Sequence, residues 1–267
     1  MLTIIFISNK NYGQKSCLKS LSKNEIEAAN DCVKSKITKH PNNVYLNFVL
    51  AEIKSNRDFD HYEIYNAYQC IIKCRDSYIS VNDDDKEKFN KDFIKFHYDT
   101  NFIDQTVHNI CTKALIDVQS KNTLTAYNTY IGVIEISEFN NQAIQLRNAR
   151  AFSIAKTDNT LEAFLNFIST YPEALEIPKA IELRNDRAFN AAKEDNTEIS
   201  FQYFIETYPK AIEIPKAIEL RNELAFNSAK ETNTVESFQA FIESYPLATE
   251  IPKATELRDK QEEVKGK

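Results

Sequence analysis

The stretch Tyr208–Asn222, YPKAIEIPKAIELRN, nearly copies Tyr171–Asn185, YPEALEIPKAIELRN, and returns loosely as YPLATEIPKATELRD at Tyr245–Asp259. Each copy starts 37 residues after the one before. A fixed period of this size is the signature of stacked supersecondary units. Working backwards, Asn-Thr recurs at Asn122/Thr123, Asn159/Thr160, Asn196/Thr197 and Asn233/Thr234, and Leu-Arg recurs from Leu146, Leu183, Leu220 and Leu257. Four units are plain. A fainter fifth shows where Phe93-Ile94 aligns with Tyr130-Ile131, Phe167-Ile168, Phe204-Ile205 and Phe241-Ile242. Repeats are therefore expected over residues 74–258, preceded by an irregular helical cap at 14–73 and followed by a charged tail at 259–267.

Punctuation within a unit sets two helices. Pro178, Pro215 and Pro252 suit the first turn of a long helix, helix A, which runs through IPKAIELRNDRAFNAAKED and its equivalents. Helix A ends before Asn-Thr. There, Asn159 with Glu162 and Asn233 with Glu236 have the spacing of a capping box, which would open a shorter helix B. In helix B, Phe201, Phe204, Ile205 and Tyr208 form one apolar face, and the proline after the tyrosine stops the helix. With Ala180 as zero and about 100° per residue, Arg184 falls at about 40°, Ala188 about 80°, Ile181 about 100°, Ala192 about 120°, Asn185 about 140° and Phe189 about 180°. The recurring Arg and Asn thus sit inside the buried stripe. Alanines at i, i+4 and i+8 let neighbouring helices approach closely, so this face is a packing seam.

A helix with small residues, a turn, a second helix ending in F-I-x-x-Y-P, and an extended link into the next unit together resemble tetratricopeptide-type repeats. The likeness is closest to variants in bacterial cell-envelope proteins, such as outer-membrane assembly lipoproteins and Tol-Pal accessory proteins. It implies an all-α fold, an α-solenoid of helix-turn-helix repeats, and a protein- or peptide-binding role. The chain departs from the common pattern in its 37-residue period, its Asn-Thr turn and its lack of Trp. Upstream, residues 40–81 read as one more helical pair, and KNEIEAANDCVKSKITK as a single amphipathic helix.

Bulk composition narrows the partners. The chain is 42% hydrophobic and 27% charged, enough for a core, and its net charge of -6 supplies no basic field for nucleic acid. Three glycines, Gly13, Gly132 and Gly266, leave no phosphate-cradling loop. No apolar run approaches the roughly 20 residues that span a bilayer. Residues 1–13 begin with an apolar stretch and end at Tyr12-Gly13, before Gln14, which resembles the end of an export signal; the alternative is a first helix or strand of the mature fold. Export would place the chain in the periplasm, peripheral to the envelope; otherwise it is cytoplasmic.

Five cysteines leave at least one unpaired. Cys70 and Cys74 share a helix face and Cys111 lies one period beyond Cys74, so they read as small buried hydrophobes. Lipid attachment at Cys17 has only Ser16 to recommend it. His40, His61, His97 and His108 show no metal-binding spacing, and Asp83-Asp84-Asp85 reads as a solvated inter-helix turn. No cofactor, metal or catalytic set is implied.

The candidate for partner binding is the column Arg147, Arg184, Arg221 and Arg258, one period apart, which could grip acidic peptides. Against that stands a structural reading in which each Arg lies in the seam. It would then be paired with Glu176, Glu213 and Glu250, or with Glu206 and Glu243. Asn148, Asn185 and Asn222 would tie adjacent backbone, and Tyr171, Tyr208 and Tyr245 would complete the core face of helix B. The leading expectation is a non-enzymatic scaffold that binds protein or peptide. The alternatives are a structural spacer or assembly chaperone, and an enzyme with its site in the N-terminal region.

Overall fold

The computed structural model describes residues 14–265. Over them the chain is all-α, with α1 (Lys15–Ser22), α2 (Ile26–Ile37), α3 (Val44–Lys54), α4 (Ile64–Ser80), α5 (Asp83–Lys95), α6 (Phe102–Lys121) and α7 (Leu124–Val133). There follow α8 (Ser137–Asp158), α9 (Leu161–Thr170), α10 (Ile177–Asp195), α11 (Glu198–Thr207), α12 (Ile214–Thr232), α13 (Val235–Ser244) and α14 (Ile251–Lys265). The export reading of residues 1–13 lies outside the described residues. The chain divides into two compact units, Met1–Arg147 and Asn148–Lys267.

The first unit is wrapped around α3. Its sequence VYLNFVLAEIK is apolar on nearly every side, and Val44 through Val49, Ala51 and Ile53 are all buried. Such a helix has to be covered all round. Helices α1, α2, α4 and α6 pack on it. Phe48 sits at the centre, edge-on to Phe93 at 4.8 Å, Tyr98 at 4.9 Å and Phe102 at 5.3 Å between ring centroids. Polar ties span the same helices. Thr106 on α6 donates to the Glu52 carboxylate of α3 at 2.8 Å, and burial raises the Glu52 pKa. Arg57 and Tyr62, from the loop after α3, both bond Asp117 of α6.

One local reading needs correction here. Asp83, Asp84 and Asp85 are not a turn but the acidic first turn of α5, capped by Asn82, whose side chain accepts from Asp85 N. Negative charge at a helix N-terminus offsets the orphan N–H groups and the helix dipole, which explains the run without a cation. Among the described residues no cluster of metal-ligating side chains occurs. Cys17, for its part, is bonded to Cys32. With its sulfur in a disulfide, Cys17 does not carry a lipid thioether. Cys70, Cys74 and Cys111 are free and buried, as their helical spacing predicts.

In the second unit each helix from α9 to α14 packs on the next. Long helices opened by Ile177, Ile214 and Ile251 alternate with shorter ones. Each long helix begins with proline in its first turn and buries Ala180, Ala217 or Ala254 completely. The phenylalanine ladder is the main glue. Phe152 packs on Phe167 at 5.3 Å, Phe189 on Phe204 at 5.4 Å and Phe226 on Phe241 at 5.4 Å. One turn after each long-helix ring, Lys156, Lys193 or Lys230 lays its ammonium over the outer face at 5.0, 5.0 and 5.3 Å. The lysine stem closes the apolar edge while its charge stays in water.

The turn between long and short helix is built differently from the capping box expected of Asn. Asn159, Asn196 and Asn233 have φ of 51°, 49° and 51°, so they end the long helix in the left-handed region. Asparagine tolerates that region where a β-branched residue does not. The cap of the short helix is the threonine that follows. Thr160, Thr197 and Thr234 are extended and accept from the backbone N–H of Ala163, Ser200 and Ser237. In α11 and α13 the bond is reciprocal, because the Ser200 and Ser237 hydroxyls accept from the Thr197 and Thr234 N–H.

Candidate functional site

The arginine column is placed in the seam between helices, with partners other than the glutamates expected. Arg184 donates through Nε and Nη2 to Asn185 Oδ1 at 3.1 and 2.8 Å, and its guanidinium lies 5.1 Å above the Tyr208 ring. Arg221 repeats this with Asn222 at 3.2 and 2.8 Å and with the Tyr245 ring at 4.9 Å. Its remaining fork nitrogen, Nη1, donates to Gln202 Oε1 of α11 at 2.6 Å. Arg258 holds Gln239 at 2.8 Å and the Asp259 carboxylate at 3.0 and 2.7 Å. Arg147, in the first unit, is not a free cation either.

Arg221 therefore joins three consecutive helices, α11 through Gln202, α12 through Asn222 and the C-terminal cap of α13 through Tyr245. A planar fork with fixed donors is suited to this, and a lysine is not. The buried Asn185 and Asn222 do not tie backbone with their oxygens; those oxygens are the acceptors that let a guanidinium enter the seam. Glu206 and Glu243 stand one step removed, accepting from the Gln202 and Gln239 amides at 2.6 and 2.8 Å. The buried Oε2 atoms of Glu213 and Glu250 have no hydrogen-bond partner, so neither oxygen pairs with the column. Tyr208 and Tyr245 pack on Phe204 and Phe241 at 5.5 Å. Burial, and then a bond to Glu198, push the Tyr245 hydroxyl up to about 12.

The second unit also exposes large apolar side chains. Leu175 and Ile212, equivalent residues of successive repeats, are 80% and 81% exposed, and Leu247 in the next link is 95% exposed. All three stand in the link between a short helix and the following long one. Beside each, Ala174, Ala211 and Ala248 are buried and anchor the link. Ile181 and Ile218, near the start of the long helices, lie at the margin of the seam, about a third exposed and not inside it as the helical wheel placed them. This row of aliphatic residues was missed from sequence. The signal was there: in YPEALEIP and YPKAIEIP an aliphatic residue follows the anchoring alanine in a segment with no helical register to bury it.

No described helix is long and apolar enough to cross a membrane. In the first unit an open depression at the start of α2 is lined by Asn24, Glu25, Ile26, Glu27, Ala28 and Phe59. Its carboxylates have no nucleophile or base beside them in that lining. The Glu52 carboxyl, its pKa raised by burial, is occupied by the hydrogen bond from Thr106. Comparison with known protein families, with curated proteins and with solved structures finds no match to this chain.

Proposed function

We propose that the chain is a non-enzymatic scaffold of tetratricopeptide-like repeats that binds a protein or peptide through the aliphatic row Leu175, Ile212 and Leu247. The exposure of these three side chains carries the reading. Isolated exposed hydrophobes need no explanation, but exposed aliphatic side chains recurring in successive inter-helix links mark an interaction surface. The arginines of the seam support this reading by locking successive repeats together. A partner with an aliphatic or aromatic stripe would bury the row.

Placement in a bacterial cell envelope belongs to the same proposal. The Cys17–Cys32 bond favours it, since disulfides persist in oxidising compartments. The experiment is photo-crosslinking in the native cell from an amino acid placed at Ile212, with Glu231, exposed elsewhere in the same unit, as the control position. A single defined adduct from position 212 alone, lost when Leu175 and Leu247 are changed to Ser, is the expected result. Equal labelling from both positions would favour a spacer without selective binding. Turnover abolished by one substitution in the first unit would replace the scaffold reading altogether.

A further inference from the structure

The cysteines fall into two chemically distinct groups. Burial raises the pKa of Cys70 and Cys74 and pushes Cys111 up to about 12, so these thiols hold almost no thiolate at neutral pH and are poor nucleophiles. The bonded pair, Cys17 on α1 and Cys32 on α2, sits otherwise. Cys17 is fully buried, but Cys32 is half-buried. Lys36, one turn along α2 from Cys32, holds its Nζ 3.1 Å from Cys32 Sγ and 3.8 Å from Cys17 Sγ. The same ammonium donates to Ser16 Oγ at 2.9 Å, and that hydroxyl lies 3.4 Å from Cys32 Sγ. An ammonium therefore faces both sulfurs, and a hydroxyl faces Cys32 Sγ.

A positive charge gains little beside a neutral disulfide and much beside a thiolate, the species released when the bond breaks. We propose that Cys17, Cys32 and Lys36 form a thiol–disulfide exchange site for dithiol reductants, with Lys36 stabilising each departing thiolate. The thiolate of the dithiol attacks the accessible Cys32 Sγ. The sulfur–sulfur bond breaks, and its electron pair goes to Cys17 Sγ, 3.8 Å from the ammonium. The second thiol of the reductant then gives up its proton and attacks its own bonded sulfur. This releases Cys32 as a thiolate beside Lys36, and the reductant leaves as a disulfide. Two electrons pass to the protein, and the two protons of the dithiol go to solvent or to the new thiols. The structural consequence is local. Helix α1 has only 8 residues, too few to hold together unaided, and loses its covalent tie to α2.

The test uses the oxidised full-length protein at pH 7 with dithiothreitol as the probe. Samples are quenched in acid, alkylated, and read by mass spectrometry at each cysteine. Lys36→Met is expected to slow reduction of Cys17–Cys32 about 5-fold, while Lys36→Arg stays within about 2-fold of the parent. Cys70, Cys74 and Cys111 act as internal controls, because they become alkylated only if the core opens. Should Lys36→Met expose them, Lys36→Gln removes the charge with less loss of polarity and carries the same comparison. Equal rates for the parent and the neutral variants would overturn the proposal. So would reduction that proceeds only together with alkylation of the three buried thiols.

Discussion

Arg221 and Glu52 show, at the scale of single residues, how far a sequence discloses the environment of a charge. The 100° wheel puts the recurring arginine among buried alanines, and that much was legible. Its partners were not, because carboxylate, amide and ring face all accept a guanidinium, and the choice depends on how the next helix lies. Gln202 and Tyr245 become visible as partners only when α11, α12 and α13 are packed. Glu52 had no sequence signal at all. Its raised pKa means that the folded state binds a proton more tightly than the unfolded chain does. Its contribution is therefore most favourable below the ordinary glutamate range and is lost as pH rises through the folded pKa. Glu52→Gln, which keeps an acceptor for Thr106, is expected to stabilise the protein at pH 7, with the gain shrinking towards pH 4 in paired urea titrations. Phe189, 8% exposed between Phe201 and Phe204, is expected to cost roughly 3 to 5 kcal/mol when cut to Ala. Hydrogen exchange should then quicken first in α10 and α11, and a loss under about 0.5 kcal/mol would contradict the assigned face.

Elements were the most legible level, and their joints the least. Proline pairs and the Phe-Ile-x-x-Tyr-Pro ending located long and short helices, because proline both starts and stops helices by fixed stereochemistry. At Asn196-Thr197 the dipeptide marked the joint, but the cap belongs to the threonine. Asparagine is competent for either role, and only the left-handed φ of 49° assigns it to the end of α10. Thr197→Ala is expected to cost about 1 kcal/mol in thermal or urea unfolding. Asn196→Ala should cost about as much by forcing a Cβ-bearing residue without a polar side chain into the left-handed region, whereas Asn196→Gly should be close to neutral. Equal losses for the Ala and Gly variants would remove the argument from φ. The α1–α2 bond escaped the sequence reading because five cysteines without a motif specify no pairing, and only packing brings α1 against α2.

At the scale of the whole molecule, one compact unit wraps around the largely buried helix α3 and the other is built from repeated long–short helix pairs. The repeat register breaks in α14. Glu262 and Glu263 stand where α12 carries Ala225 and Phe226, so the phenylalanine of the long helices is replaced there by a carboxylate. The aliphatic row at the links was hard to read from sequence for a physical reason: burial follows helical periodicity, and a link has none. If the repeats are interchangeable modules, excising residues 186–222, one full period, splices Asn185 to Glu223 and restores an unbroken long helix. The most direct measurement is urea unfolding of that shortened chain followed by far-ultraviolet circular dichroism. The account predicts the same helical signal per residue and a single cooperative transition. Loss of helicity, or a broad non-cooperative transition, would show that the 37-residue unit is not the module from which the fold is built.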